Sequence, residues 1–242
     1  LDVDTINLLA KGFPRESPIN TLIKPTLIGG LFNETNKRKI NIISKKQIMS
    51  KYLQYYKDIF EGKPFIRDGK EVTINNHTVF DGGGVWWLYH DLEYEMDKRG
   101  SANVLDFGCG TSVHWHLDVR IPGQTEKTTA TQYFGKRLRG FCRYDPAHPE
   151  YYIKPSGKFD IVMCTEVLEH IPIEELPELL TEIASYMEDD GIALFSIPKK
   201  LSSNLFPDGE NTHCTLMSTK EWHDLIGQYI NNFSVVHHNG FI

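Results

Sequence analysis

From residue 100 onward, short apolar runs alternate with longer stretches whose apolar positions recur every three or four residues. The runs ANVLDFG (102–108), RGFCRYD (139–145), FDIVMCT (159–165) and GIALFSI (191–197) predict strands, and FSVVHHN (233–239) a further one. IEELPELLTEIASYMED (173–189) and KEWHDLIGQYI (220–230) predict helices. Continuous apolar runs suit strands buried on both faces. The alternation therefore predicts an α/β fold: a mostly parallel sheet with helices on both sides. Such sheets bind ligands at the carboxyl ends of their strands.

The first part of the chain follows a different pattern. Residues 1–44, with Pro14, Pro18, Pro25 and Gly29-Gly30, read as an irregular arm. SKKQIMSKYLQYYKDIFEG (44–62) carries a helical stripe, Ile48, Tyr52, Tyr55, Tyr56 and Ile59, with Ser44 as cap and Gly62 as stop. KEVTINNHTVF (70–80) alternates like a hairpin turning near Asn75-Asn76, and GVWWLYHDLEYEMDKRG (84–100) is an amphipathic helix closed by Gly100. Two regions are predicted: an extension of arm, helix and hairpin over 1–83, and the sheet-bearing domain over 84–242. Trp86, Trp87 and Tyr89 read as core packing ahead of an aromatic substrate wall.

Composition narrows the function classes. The chain has 242 residues, 40% hydrophobic and 24% charged, values of an ordinary globular protein. Its net charge of −6 disfavours a nucleic-acid partner, and the basic runs at 36–46 and 135–143 read as solvated faces. No apolar window is long enough for a membrane span. The start, LDVDTINLLAKGF, lacks the pattern of a secretion signal, and its missing initiator Met suggests trimming. Cys109, Cys142, Cys164 and Cys214 form no CxxC pair, which fits a reducing cytoplasm.

The candidate chemistry begins at VLDFGCGTS (104–112), where a strand runs into Asp106 and two glycines, Gly108 and Gly110. A dinucleotide fingerprint needs a third glycine where Val113 stands, and an acid about 20 residues on. The first acid ending a second strand is Asp145. Asp106 would repel a pyrophosphate but suits a cofactor bearing an ammonium group, and Asp145 suits ribose hydroxyls. These features disfavour an NAD(P)-binding oxidoreductase and favour S-adenosylmethionine.

VLDFGCGTS resembles the first motif of class I S-adenosylmethionine-dependent methyltransferases, FDIVMCTEVLEHIP (159–172) their fourth-strand motif, and DDGIALFSIP (189–198) their fifth. The resemblance implies a Rossmann-like sheet and places Asp106, Gly108, Cys109 and Gly110 along the cofactor. It places Asp145 at the ribose, and Thr165 and Glu166 facing cofactor and substrate. Cys109 itself reads as a small apolar packing residue. In two places the chain departs from the family pattern. Residues 146–158, with three prolines, leave no room for the usual third strand and helix. IPGQTEKTTATQYFGKRL (121–138) reads as an inserted lid or substrate loop.

EVLEHIP puts Glu166, Glu169 and His170 on one helical face, with His213 as a fourth group. Quinone-biosynthesis O-methyltransferases and small-RNA 2′-O-methyltransferases carry a similar Glu-x-x-Glu-His arrangement with a metal. That resemblance implies Mg²⁺ or Mn²⁺ held by Glu166, Glu169, His170 and His213. Without metal, His170 or His213 would be the general base, with Glu166 as a further catalytic candidate. LFPDGENTHCT (205–215) resembles a segment of a little-characterised bacterial and phage methyltransferase group associated with surface-carbohydrate genes. This implies a small hydroxylated substrate such as a sugar, with Asn211 at the substrate. HWH (114–116) is a weak metal pair, because residues two apart on a helix face apart. His237-His238 reads as an exposed strand end. A cofactor-binding module without catalysis remains the other reading.

Overall fold

The computed structural model describes residues 51–73, 80–120 and 125–239. Within the predicted 44–62 helix, α1 runs Lys51–Phe60, while residues 44–50 lie outside the described residues. The chain then forms a hairpin of β1 (Phe65–Arg67) and β2 (Lys70–Val72), paired from Phe65↔Val72 to Arg67↔Lys70. Asp68 and Gly69 turn it with φ of 49° and 71°. Such a two-residue turn needs left-handed backbone, which an Asp-Gly pair adopts readily. This hairpin precedes the one expected over 70–80. Asn75-Asn76 lie outside the described residues, and the stronger turn signal was Asp68-Gly69.

The predicted 84–100 helix is two pieces, a 3₁₀ segment Gly83–Trp87 and then α2 (Tyr89–Arg99), which ends at Gly100 with φ 74°. Five strands form the main sheet: β3 (Ala102–Phe107), β4 (Leu138–Tyr144), β5 (Phe159–Thr165), β6 (Met187–Pro198) and, after β7 (Asn204–Leu205), β8 (Phe233–His238). Their order is β8-β6-β5-β3-β4, and every neighbouring pair is parallel. No strand interrupts residues 146–158, as the prolines there implied.

Helices α3 (Ala130–Phe134), α4 (Leu176–Ser185) and α5 (Thr219–Ile226) complete the architecture. Helix α5 opens on a capping box in which Ser218 and Glu221 satisfy each other's backbone N–H, and α4 carries a proline in its first turn. Leu176, Leu180 and Ile183 of α4 join Trp222 and Ile226 of α5 in one cluster with Leu105, Val162, Cys164 and Phe195. The alternate strand residues Val104, Ile161, Met163 and Leu194 are equally inaccessible, so the sheet is covered on both faces.

The segment read as a lid is otherwise. Its described part from Thr128 onward contains α3, whose Ala130 and Phe134 are buried, and Thr131 Oγ1 donates to the Trp115 carbonyl. Apolar burial makes this stretch part of the core. Helix α1 packs around Phe206, which joins Ile59 and Phe65 in a second apolar cluster.

Candidate active site

At the end of β3 the backbone must reverse within a few residues. Gly108 and Gly110 have φ of 74° and 54°, and the N–H groups of Gly108 and Cys109 both donate to the Tyr144 carbonyl at the end of β4. Asp145 closes the turn. One carboxylate oxygen accepts from the Gly110 N–H at 3.0 Å and the other from the Ala147 N–H at 2.8 Å. Each oxygen keeps a second lone pair, the feature a pair of ribose hydroxyls would use. Burial raises the Asp145 carboxyl above its ordinary range, with the two backbone bonds opposing it.

The close approach at Gly110 comes from the chain itself. A Cβ there would lie 2.0 Å from the Phe80 carbonyl oxygen, while one on Gly108 would meet the Val167 side chain at 2.4 Å. The Phe80 carbonyl accepts from the Thr111 N–H at 2.8 Å, and the Asp81 carbonyl from the His114 N–H at 3.2 Å. Gly84 is held against Thr165, where a Cβ would fall 2.8 Å from the threonine Cβ. The segment FDGGGVWW (80–87) thus roofs the carboxyl ends of β3 and β5. Sequence reasoning placed a boundary inside it; the run of three glycines was the available sign of close packing.

Asp106 is 2% exposed and accepts from the Trp115 indole at 3.0 Å. Burial pushes its carboxyl up to about 7, opposed by the indole bond. The thiol of Cys109 is buried, and burial pushes its pKa up, so it packs as an apolar residue and is no nucleophile.

Glu166 departs from the expected helix. Its φ is 53° and its N–H donates to the Ser196 carbonyl, while Leu168–His170 form a single 3₁₀ turn. The helical face that was to unite Glu166 with Glu169 and His170 therefore does not exist. Instead the Glu166 carboxylate lies 3.4 Å from His238 Nε2. Burial, reinforced by Asp81, pushes Glu166 up to about 7, and burial pushes His238 down to about 4. Both shifts run against an ion pair, and Glu166 is left poised to exchange a proton near neutrality. His238 is 6% exposed and stacks on Trp87 at 4.3 Å, which corrects the expectation of an exposed strand end. Nearby, the Trp86 indole donates to His114 Nδ1, leaving His114 Nε2 to donate to Asp81 at 3.1 Å. His116 contacts Arg143 instead, so HWH forms no metal pair.

Three of the four proposed metal ligands do converge. The carboxylate of Glu169 is fully buried, His170 Nε2 lies 3.5 Å from it and His213 Nε2 3.9 Å, and one ligand atom from each residue falls within 4.8 Å of the others. Neither Glu169 oxygen has a hydrogen-bond partner among the described residues. The Nδ1 atom of His170 is 2.8 Å from the Thr212 carbonyl and that of His213 2.7 Å from the Lys200 carbonyl. A carbonyl cannot donate, so each Nδ1 carries the hydrogen and each Nε2 presents a lone pair toward Glu169. Burial, helped by His213, lowers His170 to about 3, burial lowers His213, and burial holds Glu169 well above the carboxylate range. His170 is thus held as a neutral imidazole whose Nε2 lone pair faces Glu169.

Asn211 is engaged by its own loop. Its carbonyl accepts from the Ser202 and His213 N–H groups and its amide donates to the Ser202 carbonyl, so it shapes the loop that presents His213. Beside that loop a groove of about 270 Å³ is lined by Tyr52, Pro172, Ile173, Cys214, Leu216 and Met217.

A parallel sheet with a glycine turn and an acid at the ends of adjacent strands defines a Rossmann-like, class I methyltransferase-type domain. The chain belongs to the methyltransferase domain family, whose model matches residues 88–238, well over half its length. It is 27% identical over 114 residues to the sphingolipid C9-methyltransferase of Candida albicans (strain SC5314 / ATCC MYA-2876). That alignment covers 40% of this chain and 22% of that protein's length. No solved structure matches it. Family membership removes the oxidoreductase alternative. Among the described residues no helix is long and apolar enough to cross a membrane.

Proposed function

We propose that the protein transfers a methyl group from S-adenosylmethionine to the hydroxyl of a small acceptor such as a sugar. The observation that carries this reading is the meeting of the glycine turn, Asp145 and Glu166 at the carboxyl ends of the adjacent strands β3, β4 and β5. In it, Asp106, Gly108, Cys109 and Gly110 flank the methionine portion and Asp145 accepts from the ribose hydroxyls. Thr165 and Glu166 face the reacting atoms. The acceptor oxygen bonds to the methyl carbon as the carbon–sulfur bond breaks, its electron pair staying on sulfur. The hydroxyl proton passes to Glu166, whose value of about 7 suits a base working near neutrality. Most of the rate comes from in-line positioning. The four free cysteines support a reducing, cytoplasmic setting.

A second reading rests on the buried, unpartnered Glu169 carboxylate facing two imidazole lone pairs. These three residues fit a divalent metal, and their mixed carboxylate and imidazole donors suit Mn²⁺ better than Mg²⁺. When bound, such an ion lowers the pKa of an acceptor hydroxyl. Quinone-type or RNA 2′-hydroxyl acceptors would go with it, the latter disfavoured by the net charge of −6.

Calorimetric titration with S-adenosylhomocysteine, with Mn²⁺ or with EDTA, tests both readings. Binding at about micromolar affinity is expected. A heat that requires Mn²⁺ and vanishes in H170A/H213A supports the metal, and absence of binding in every condition ends the methyltransferase reading. Transfer of labelled methyl to a sugar panel separates an enzyme from a binding module.

A further inference from the structure

The extension helix reaches into the triad through one atom. Tyr56, on α1, places its hydroxyl 2.5 Å from His170 Nδ1, the nitrogen that also faces the Thr212 carbonyl. The Tyr56 ring is fixed edge-on to Phe80, to Phe206 and to the His170 ring itself. The neighbouring tyrosines point elsewhere: Tyr52 donates to Glu210 at 3.1 Å and Tyr55 to Asp208 at 2.5 Å. The Tyr56 hydroxyl thus lies against a member of the triad.

We propose that Tyr56 is a positioning residue that, with the Thr212 carbonyl, accepts from His170 Nδ1–H and so keeps the Nε2 lone pair aimed at the Glu169 carboxylate. The chemical reason is directional. Nδ1–H lies in the ring plane, and two oxygen acceptors on that side fix both the tautomer and the ring's rotation. The Thr212 carbonyl, which cannot donate, sets the tautomer, and the Tyr56 hydroxyl on the same N–H holds the ring against rotation, so that the Nε2 lone pair points in a defined direction. The packing of Tyr56 against Phe80 and Phe206 makes the second acceptor rigid. The proposal extends the metal reading, in that a metal at Nε2 would depend on this preparation, but the tautomer itself exists without any metal.

The experiment uses the full chain with ¹⁵N-labelled histidine. In the metal-free wild type the His170 ring nitrogens, assigned with H170A, should give the signature of the Nδ1–H tautomer. Tyr56→Phe, which keeps the ring and loses the oxygen, should keep that tautomer, because the Thr212 carbonyl remains, and should broaden the His170 ring signals as the imidazole gains freedom to rotate. Tyr55→Phe removes a hydroxyl from the same helix and should leave the signature unchanged, which separates positioning from general loosening of α1. Mn²⁺ affinity should fall about tenfold in Tyr56→Phe only. A wild type already in the Nε2–H tautomer, or a Tyr56→Phe signature identical to wild type, overturns the proposal. Broadened His170 signals in Tyr56→Phe with no Mn²⁺ binding in any variant sustain the positioning role and remove the metal reading alone.

Discussion

Gly108 and Gly110 share a left-handed backbone, but they differ in what an added methyl would strike. At Gly108 the obstacle is the end of the Val167 side chain, which can rotate; at Gly110 it is the backbone oxygen of Phe80, already bonded to Thr111. Gly108→Ala should therefore cost about 1–2 kcal/mol for the backbone conformation plus the displacement of Val167. Gly110→Ala should cost clearly more, because the roof segment must lift. Urea midpoints of the two variants check the ranking, and equal losses would contradict it. The electrostatic prediction at this scale concerns Glu166. Its folded-state value of about 7 exceeds the ordinary 4.5, so the folded protein holds the proton more tightly than the unfolded chain. The contribution of Glu166 to stability is thus complete below about 4.5 and lost as pH rises through about 7. Glu166→Gln should become progressively more stable than wild type across that window. A difference independent of pH would show that Glu166 is not buried as a neutral acid. Asp106 shifts in the same direction and stays in both proteins, so it cancels in the comparison.

At the level of elements, strand β5 was legible to the residue because its run FDIVMCT is buried along nearly its whole length. Strand β6 was only partly so. It begins at Met187, and its Glu188, Asp189 and Asp190 are exposed; Met187 enters the ladder by pairing with Phe159, a partner no local pattern displays. The roof segment was illegible for a related reason: its meaning lies in contacts with Gly110, Thr165 and His114, far away in the chain. Glu166 misled because its spacing to Glu169 and His170 is helical only if the backbone is, and one left-handed residue undoes that. Helix α1 gives the prediction proper to this scale. It holds the His213-bearing loop by Phe206, which is 0% exposed beneath Tyr52, Tyr55 and Tyr56. Phe206→Ala should cost about 3–5 kcal/mol, felt mainly as release of α1. Hydrogen exchange should then rise in α1 and stay unchanged in β5, and equal acceleration in both would refute such local coupling.

For the whole molecule, the sequence pattern was sufficient for the class of architecture and for the placing of its motifs at the carboxyl ends of strands. Those follow from period and burial, and the motifs lie on strands β3, β5 and β6 as their spacing implied. What spacing could not supply was the division of the acidic and histidine residues into two groups, Glu166 with His238 and Glu169 with His170 and His213. That division also bears on how the protein comes into being. The bonds that fasten α1 to the loop before His213 join residues 153 to 159 apart in sequence, and the Tyr56–His170 contact spans 114. Contacts of such separation close late, after strands and helices have formed from local pairings. On the ribosome, α1 can meet Phe65 and Phe80 at once but emerges long before His170, Phe206 and the loop that carries His213. The sheet can be nearly complete while the triad is still open to water, so the triad is among the last parts of this molecule to become native.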